Sequence, residues 1–78
     1  KINMETIEIT LPNYIPKEKV IEVIETIMKR QKRECSVKYL FSKEENHFEI
    51  SADSSESFYI IGMGIQTIIT YYTKVISS

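Results

Sequence analysis

Few side chains in this sequence are of the types that make or break bonds. There is one histidine, His47, and one cysteine, Cys35. A nucleophilic triad needs a base beside its nucleophile. His47 follows a short polar run, Lys43-Glu44-Glu45-Asn46, and alternates in phase with Glu49 and Ser51. That is the setting of a solvated histidine, not of a general base. Cys35 alternates in phase with Val37, Tyr39 and Phe41, and so reads as a small core residue. A structural zinc site needs four ligands, which one Cys and one His cannot supply. Among the carboxylates, Glu44 and Glu45 form a loop pair. Asp53 and Glu56 stand at the start of a helical pattern, where negative charge complements the helix dipole. Neither pair has the character of a glycosidase or metal set. Gly62-Met63-Gly64 is too short for a phosphate loop and falls inside a helical stretch rather than between a strand and a helix. No catalytic residue, metal or cofactor is expected, and the protein is expected not to be an enzyme.

Two features are suited to binding. The first is the basic cluster Lys29, Arg30, Lys32 and Arg33, extended by Lys38 and Lys43. Its functional reading is contact with the phosphate backbone of RNA or DNA. Its structural reading is a set of cations at the negative end of a helix dipole. The second is favoured. A formal net charge of −1 gives no overall pull toward nucleic acid. By phase, Tyr39 and Phe41 also point into the core, which leaves only Leu40 apolar on the outside and no aromatics for stacking bases.

The second feature is a gap in charge. No charged residue occurs from Ser57 to Thr73. The spacing of Phe58, Ile61, Ile65, Ile68, Tyr72 and Val75, joined by Ile69 and Ile76, gives an amphipathic helix. Its back carries Tyr59, Met63, Gln66, Thr67, Thr70 and Lys74, flanked by Ile60 and Tyr71. A membrane span needs about 20 apolar residues, and Gln66, Thr67 and Thr70 interrupt this one. Apolar residues on a solvent-facing helix are common, and the spacing also permits a coiled coil. A protein contact fits best, because Tyr and Met are enriched and charge is depleted in interface cores. The expected interface is Tyr59, Ile60, Met63, Gln66, Thr67, Thr70 and Tyr71.

The remaining elements must position these faces. Met4 to Leu11 alternates, with Ile7, Ile9 and Leu11 on one side, and reads as a strand closed by Pro12-Asn13. Pro16 opens a helix with an apolar stripe of Val20, Ile24, Ile27 and Met28, ending near Arg33. A strand from Glu34 to Ser42 and another from His47 to Asp53 form a hairpin, the latter with Phe48, Ile50 and Ala52 inward. Asp53-Ser54-Ser55-Glu56 has capping-box spacing. Gly62 and Gly64 border the apolar stripe, where close approach of another element would explain them.

The expected fold class is α+β: a β-α-β-β-α two-layer sandwich, one domain over residues 1–78, with a three-stranded sheet in order 1-3-2 and two helices on one face. In element order this resembles a split β-α-β (ferredoxin-like) unit lacking its last strand, a likeness that carries no function. It leaves the first strand as an open edge. Hydrophobic residues at 42% and charged residues at 27% fit a folded chain. A domain of 78 residues has a thin stability margin, which a partner chain would widen. The start, Lys1-Ile2-Asn3-Met4-Glu5, shows no signal peptide, and a lone cysteine suits the cytoplasm. The expected function is protein–protein interaction and self-association as a homodimer, through the second helix, the open strand, or both. The alternatives are nucleic-acid binding through Lys29, Arg30, Lys32 and Arg33, and regulatory small-ligand binding at a dimer interface.

Overall fold

The computed structural model describes residues 3–40 and 44–78. The elements run β1 (Glu5–Pro12), α1 (Lys17–Arg30), β2 (Cys35–Leu40), β3 (Glu45–Ala52) and α2 (Ser55–Ser77). The three strands form one sheet in the order β1-β3-β2, and both pairings are antiparallel. The α+β class and the 1-3-2 order expected from the alternation are the observed ones. The readings for Phe41, Ser42 and Lys43 lie outside the described residues.

Period-two alternation divides the sheet cleanly. On the core face, Ile50 lies between Ile7 and Val37, and Phe48 lies between Ile9 and Tyr39. Phe48, Ile50 and Ala52 have no exposed surface, because β3 is central and has a neighbour on each side. Tyr39 meets Phe48 edge to face at 5.4 Å between ring centroids, a favoured aromatic geometry. Lys17 Nζ lies over the Tyr39 ring, 4.6 Å from its centroid. Val20, Ile24 and Met28 from α1, and Ile61 and Ile68 from α2, complete the core with Leu11 and Ile15.

Each helix ends for a local reason. Pro16 sits at the cap position of α1, with φ −61° and an extended ψ of 128°, which suits a ring that fixes φ. At the other end, Arg33 N–H donates to Met28 O at 2.9 Å and Lys32 N–H to Lys29 O at 3.0 Å. Lys32 has φ 56°. This is a Schellman closure with lysine where glycine is usual. Ser54 caps α2, its hydroxyl accepting from Ser57 N–H at 3.3 Å. With Ser54 as cap, Glu56 is one position too early to close a capping box, and it pairs with Arg33 instead.

Two further expectations are corrected. Glu45 and Asn46, which the sequence places in the polar hairpin loop, lie in β3, and Asn46 is buried. Its amide donates to Ile15 O at 2.6 Å and Pro12 O at 3.3 Å, and its oxygen accepts from the Tyr39 hydroxyl at 3.2 Å. The turn between β1 and α1 is thereby stitched to the sheet through groups that burial would otherwise leave unpaired. Val75 and Ile76, expected on the inner stripe, are 53% and 57% exposed. The 23 residues of α2 span roughly 34 Å at 1.5 Å per residue, and the helix outruns the core beneath it. The molecule is correspondingly elongated, 46 × 24 × 17 Å.

Candidate protein-interaction surface

Helix α2 leaves its charge-free side exposed, with Lys19 of α1 bordering its Tyr71 end. Tyr59 is 69% exposed, Met63 56% and Tyr71 59%. Gln66, Thr67 and Thr70 are exposed beside them, whereas Ile60 is half-buried and packs against the core. Ile60 therefore belongs to the border of the candidate surface rather than to its centre. Three polar side chains on this face, Gln66, Thr67 and Thr70, are hydrogen-bonded within the helix. Thr67 donates to Met63 O at 3.1 Å, and Gln66 donates to the Thr70 hydroxyl at 3.4 Å. Satisfied polar groups of this kind can be covered by a partner with less loss than free ones.

The surface is shaped by two shallow hollows. One is lined by Tyr59, Gly62, Met63, Gln66 and Thr67, the other by Lys19, Thr67, Ile68, Tyr71 and Tyr72. Gly62 forms the floor of the first: a Cβ built there would meet nothing within 4 Å. Gly64 is different. A Cβ there would come within 2.6 Å of Ile27 Cδ1 and 3.4 Å of Val23 Cγ1. Close approach of α1 accounts for Gly64 and leaves Gly62 without a partner inside the molecule. Tyr71 stands edge to face against Tyr72 at 5.0 Å, and the Tyr14 hydroxyl reaches Thr73 Oγ1 at 3.1 Å. The second contact links the distal half of the helix to the turn between β1 and α1.

The fold takes one member out of the basic cluster. Lys29, Arg30 and Lys32 are exposed. Arg33 is turned inward, donating to Ser54 Oγ at 3.4 Å, to Ser57 Oγ at 3.3 Å and to the Glu56 carboxylate. It ties the end of α1 to the start of α2, a role that sequence spacing does not reveal. Lys38 projects from the outer sheet face opposite Glu49. That face carries Thr6, Glu8, Thr10, Ser36, Lys38, Leu40, His47, Glu49 and Ser51, with no Phe or Tyr among the described residues.

The remaining reactive groups have structural environments. Burial, and then the Glu25 carboxylate, push the Cys35 thiol up, away from the thiolate that a nucleophile requires. The hydrogen bond from Ser57 (2.7 Å) holds Asp53 below the ordinary aspartate value; burial, the next largest effect, opposes it, and a hydrogen bond from Ser54 adds less to the lowering. The hydrogen bond from Lys19 to Glu22 (2.9 Å) raises the lysine. No group of three or more His, Cys, Asp or Glu among the described residues is arranged to hold a metal ion. No described helix is long and apolar enough to cross a membrane. No family model, curated protein or solved structure matches the chain.

Proposed function

We propose that this protein is a non-enzymatic binding module that self-associates through the uncharged face of α2. The observation that carries the reading is the exposure of Tyr59, Met63 and Tyr71 by more than half on a helix that has no charge from Ser57 to Thr73. Exposed Tyr and Met without charge are the composition of an interface core. Because α2 brings no charge to this face, and Lys19 of α1 borders only its Tyr71 end, a second copy meets little like-charge repulsion.

The size of the face sets the strength. Tyr59 and Tyr71 are roughly 18 Å apart along the helix axis at 1.5 Å per residue. A strip of that length and one helix wide covers less than the ~800 Å² per partner of a standard interface. The association is accordingly reversible and dependent on concentration. Unpaired Cys35 suits a cytoplasmic setting for this assembly.

The test is substitution within the face. Met63→Glu and Tyr71→Glu each place a charge where a partner would have to desolvate it. Each is expected to shift the protein to monomer while the circular dichroism spectrum and melting curve stay close to wild type. Retention of the wild-type mass by both variants would show that α2 is not the contact.

A further inference from the structure

The free side of β1 is the strongest feature that the α2 face leaves unused. The strand is eight residues long. Its pairing with β3 runs without a bulge from Glu5 opposite Ala52 to Pro12 opposite Glu45. Among the described residues no strand pairs with its other side. Sheet edges are ordinarily protected by shortness, lysine, proline or a bulge. Here the only proline is the last residue of the strand, and the only charges are Glu5 and Glu8.

Each face of this edge is incomplete. On the core face, Ile7 lies opposite Ile50, which is fully buried, yet Ile7 itself is 42% exposed. What it lacks is a neighbour on the open side. On the outer face, Glu8 lies directly opposite Glu49, with Lys38 beyond. Like charges directly opposite one another destabilise a sheet, and neither carboxylate is in an ion pair among the described residues. A cation on the free side of Glu8 would complete the row as cation, carboxylate, carboxylate, cation.

We propose that the β1 edge takes up an extended basic segment of another protein as a fourth strand. Backbone hydrogen bonds would supply affinity. Because side chains alternate between faces, the segment would set an apolar residue beside Ile7 and an adjacent Lys or Arg beside Glu8. A second copy of β1 supplies no cation for Glu8: its only charges are Glu5 and Glu8, and the antiparallel register joining Glu5 through Leu11 sets Glu8 against the copy's Glu8.

The experiment is titration of the intact protein, labelled with ¹⁵N, with a capped peptide of alternating valine and lysine. A capped peptide of alternating valine and glutamate serves as control. The expected result is saturable shifts of the amides of residues 5–11 with the lysine peptide only. Glu8→Lys is expected to weaken binding about tenfold by exchanging an opposite-charge cross-strand pair for a like one. Glu25→Lys, the same charge change on α1, is expected to leave it unchanged. Glu8→Lys should also melt no lower than wild type, since it removes the Glu8–Glu49 repulsion, so lost binding cannot be ascribed to unfolding. Equal binding of both peptides, shifts confined to α2, or no shifts at all would each overturn the proposal. So would shifts of residues 5–11 that follow protein concentration without peptide, which would make the occupant a second copy.

Discussion

Helices α1 and α2 do the same work on the inside and different work on the outside. Each buries an apolar stripe in one core: Val20, Ile24 and Met28 from α1, Ile61 and Ile68 from α2. The outer side of α1 carries Glu18, Lys19, Glu22, Glu25, Lys29 and Arg30, all exposed, and closes a local ion pair between Lys19 and Glu22. The outer side of α2 carries Tyr59, Met63, Gln66, Thr67 and Thr70, equally exposed. Core packing explains the inner faces of both helices and the outer face of neither. Solubility accounts for the charges on α1. On α2 the same demand is not met, which is why the functional reading rests there.

The comparison can be broken at its common part first. Ile24→Ala and Ile61→Ala remove side chains that are 0% and 2% exposed, one from each helix. Each is expected to cost about 2–5 kcal/mol by chemical denaturation. A much smaller loss at Ile61 would mean that α2 is not held as an integral part of the core. The two glycines of α2 sharpen the contrast between its sides. Gly64→Leu forces a side chain against Ile27 and Val23, with an expected loss of about 1–3 kcal/mol from overpacking. Gly62→Ala adds a methyl group to open space and is expected to raise monomer stability by up to about 1 kcal/mol through helix propensity. Equal effects at both positions would remove the distinction between a packed side and an open one.

The smallest expected effect concerns the start of α2. Asp53 is held below its ordinary value, chiefly by the Ser57 hydroxyl. A carboxyl group with a depressed folded-state pKa binds protons less readily in the native than in the unfolded chain. Its contribution is therefore complete above the unfolded aspartate value of about 3.9, and is lost as pH falls from there through the folded value. Asp53→Asn is expected to flatten the acid limb of a stability–pH curve and leave the melting temperature at pH 7 only slightly lower. An unchanged acid limb would place the acid sensitivity in other carboxylates.

Fold and surface were legible in the sequence to different degrees, for physical reasons. Alternation in Ile7, Ile9, Leu11 and in Phe48, Ile50, Ala52 reports directly which side of a strand is buried, because the period of a strand is two. The sheet order followed from that pattern and the hairpin. Asn46 was illegible because its partners, the carbonyls of Pro12 and Ile15, are brought to it only by tertiary folding. Arg33 was misleading for the same reason. Its neighbours in the chain are basic, but its partners are Ser54, Glu56 and Ser57. Val75 and Ile76 continue the helical spacing faithfully, yet periodicity carries no information about where the core beneath a helix stops. The charge gap of α2 could be read at once. Assigning Ile60 to its border, and Gly62 rather than Gly64 to its open side, required the position of α1.

The most direct test of the α2 reading is the mass in solution, measured by light scattering after size exclusion at two protein concentrations, for the wild type and for Met63→Glu. The reading predicts a wild-type mass that rises with concentration toward twice 9.1 kDa, and a variant that stays at the monomer mass throughout. A wild type that remains monomeric at both concentrations, or a variant that associates as the wild type does, would contradict it.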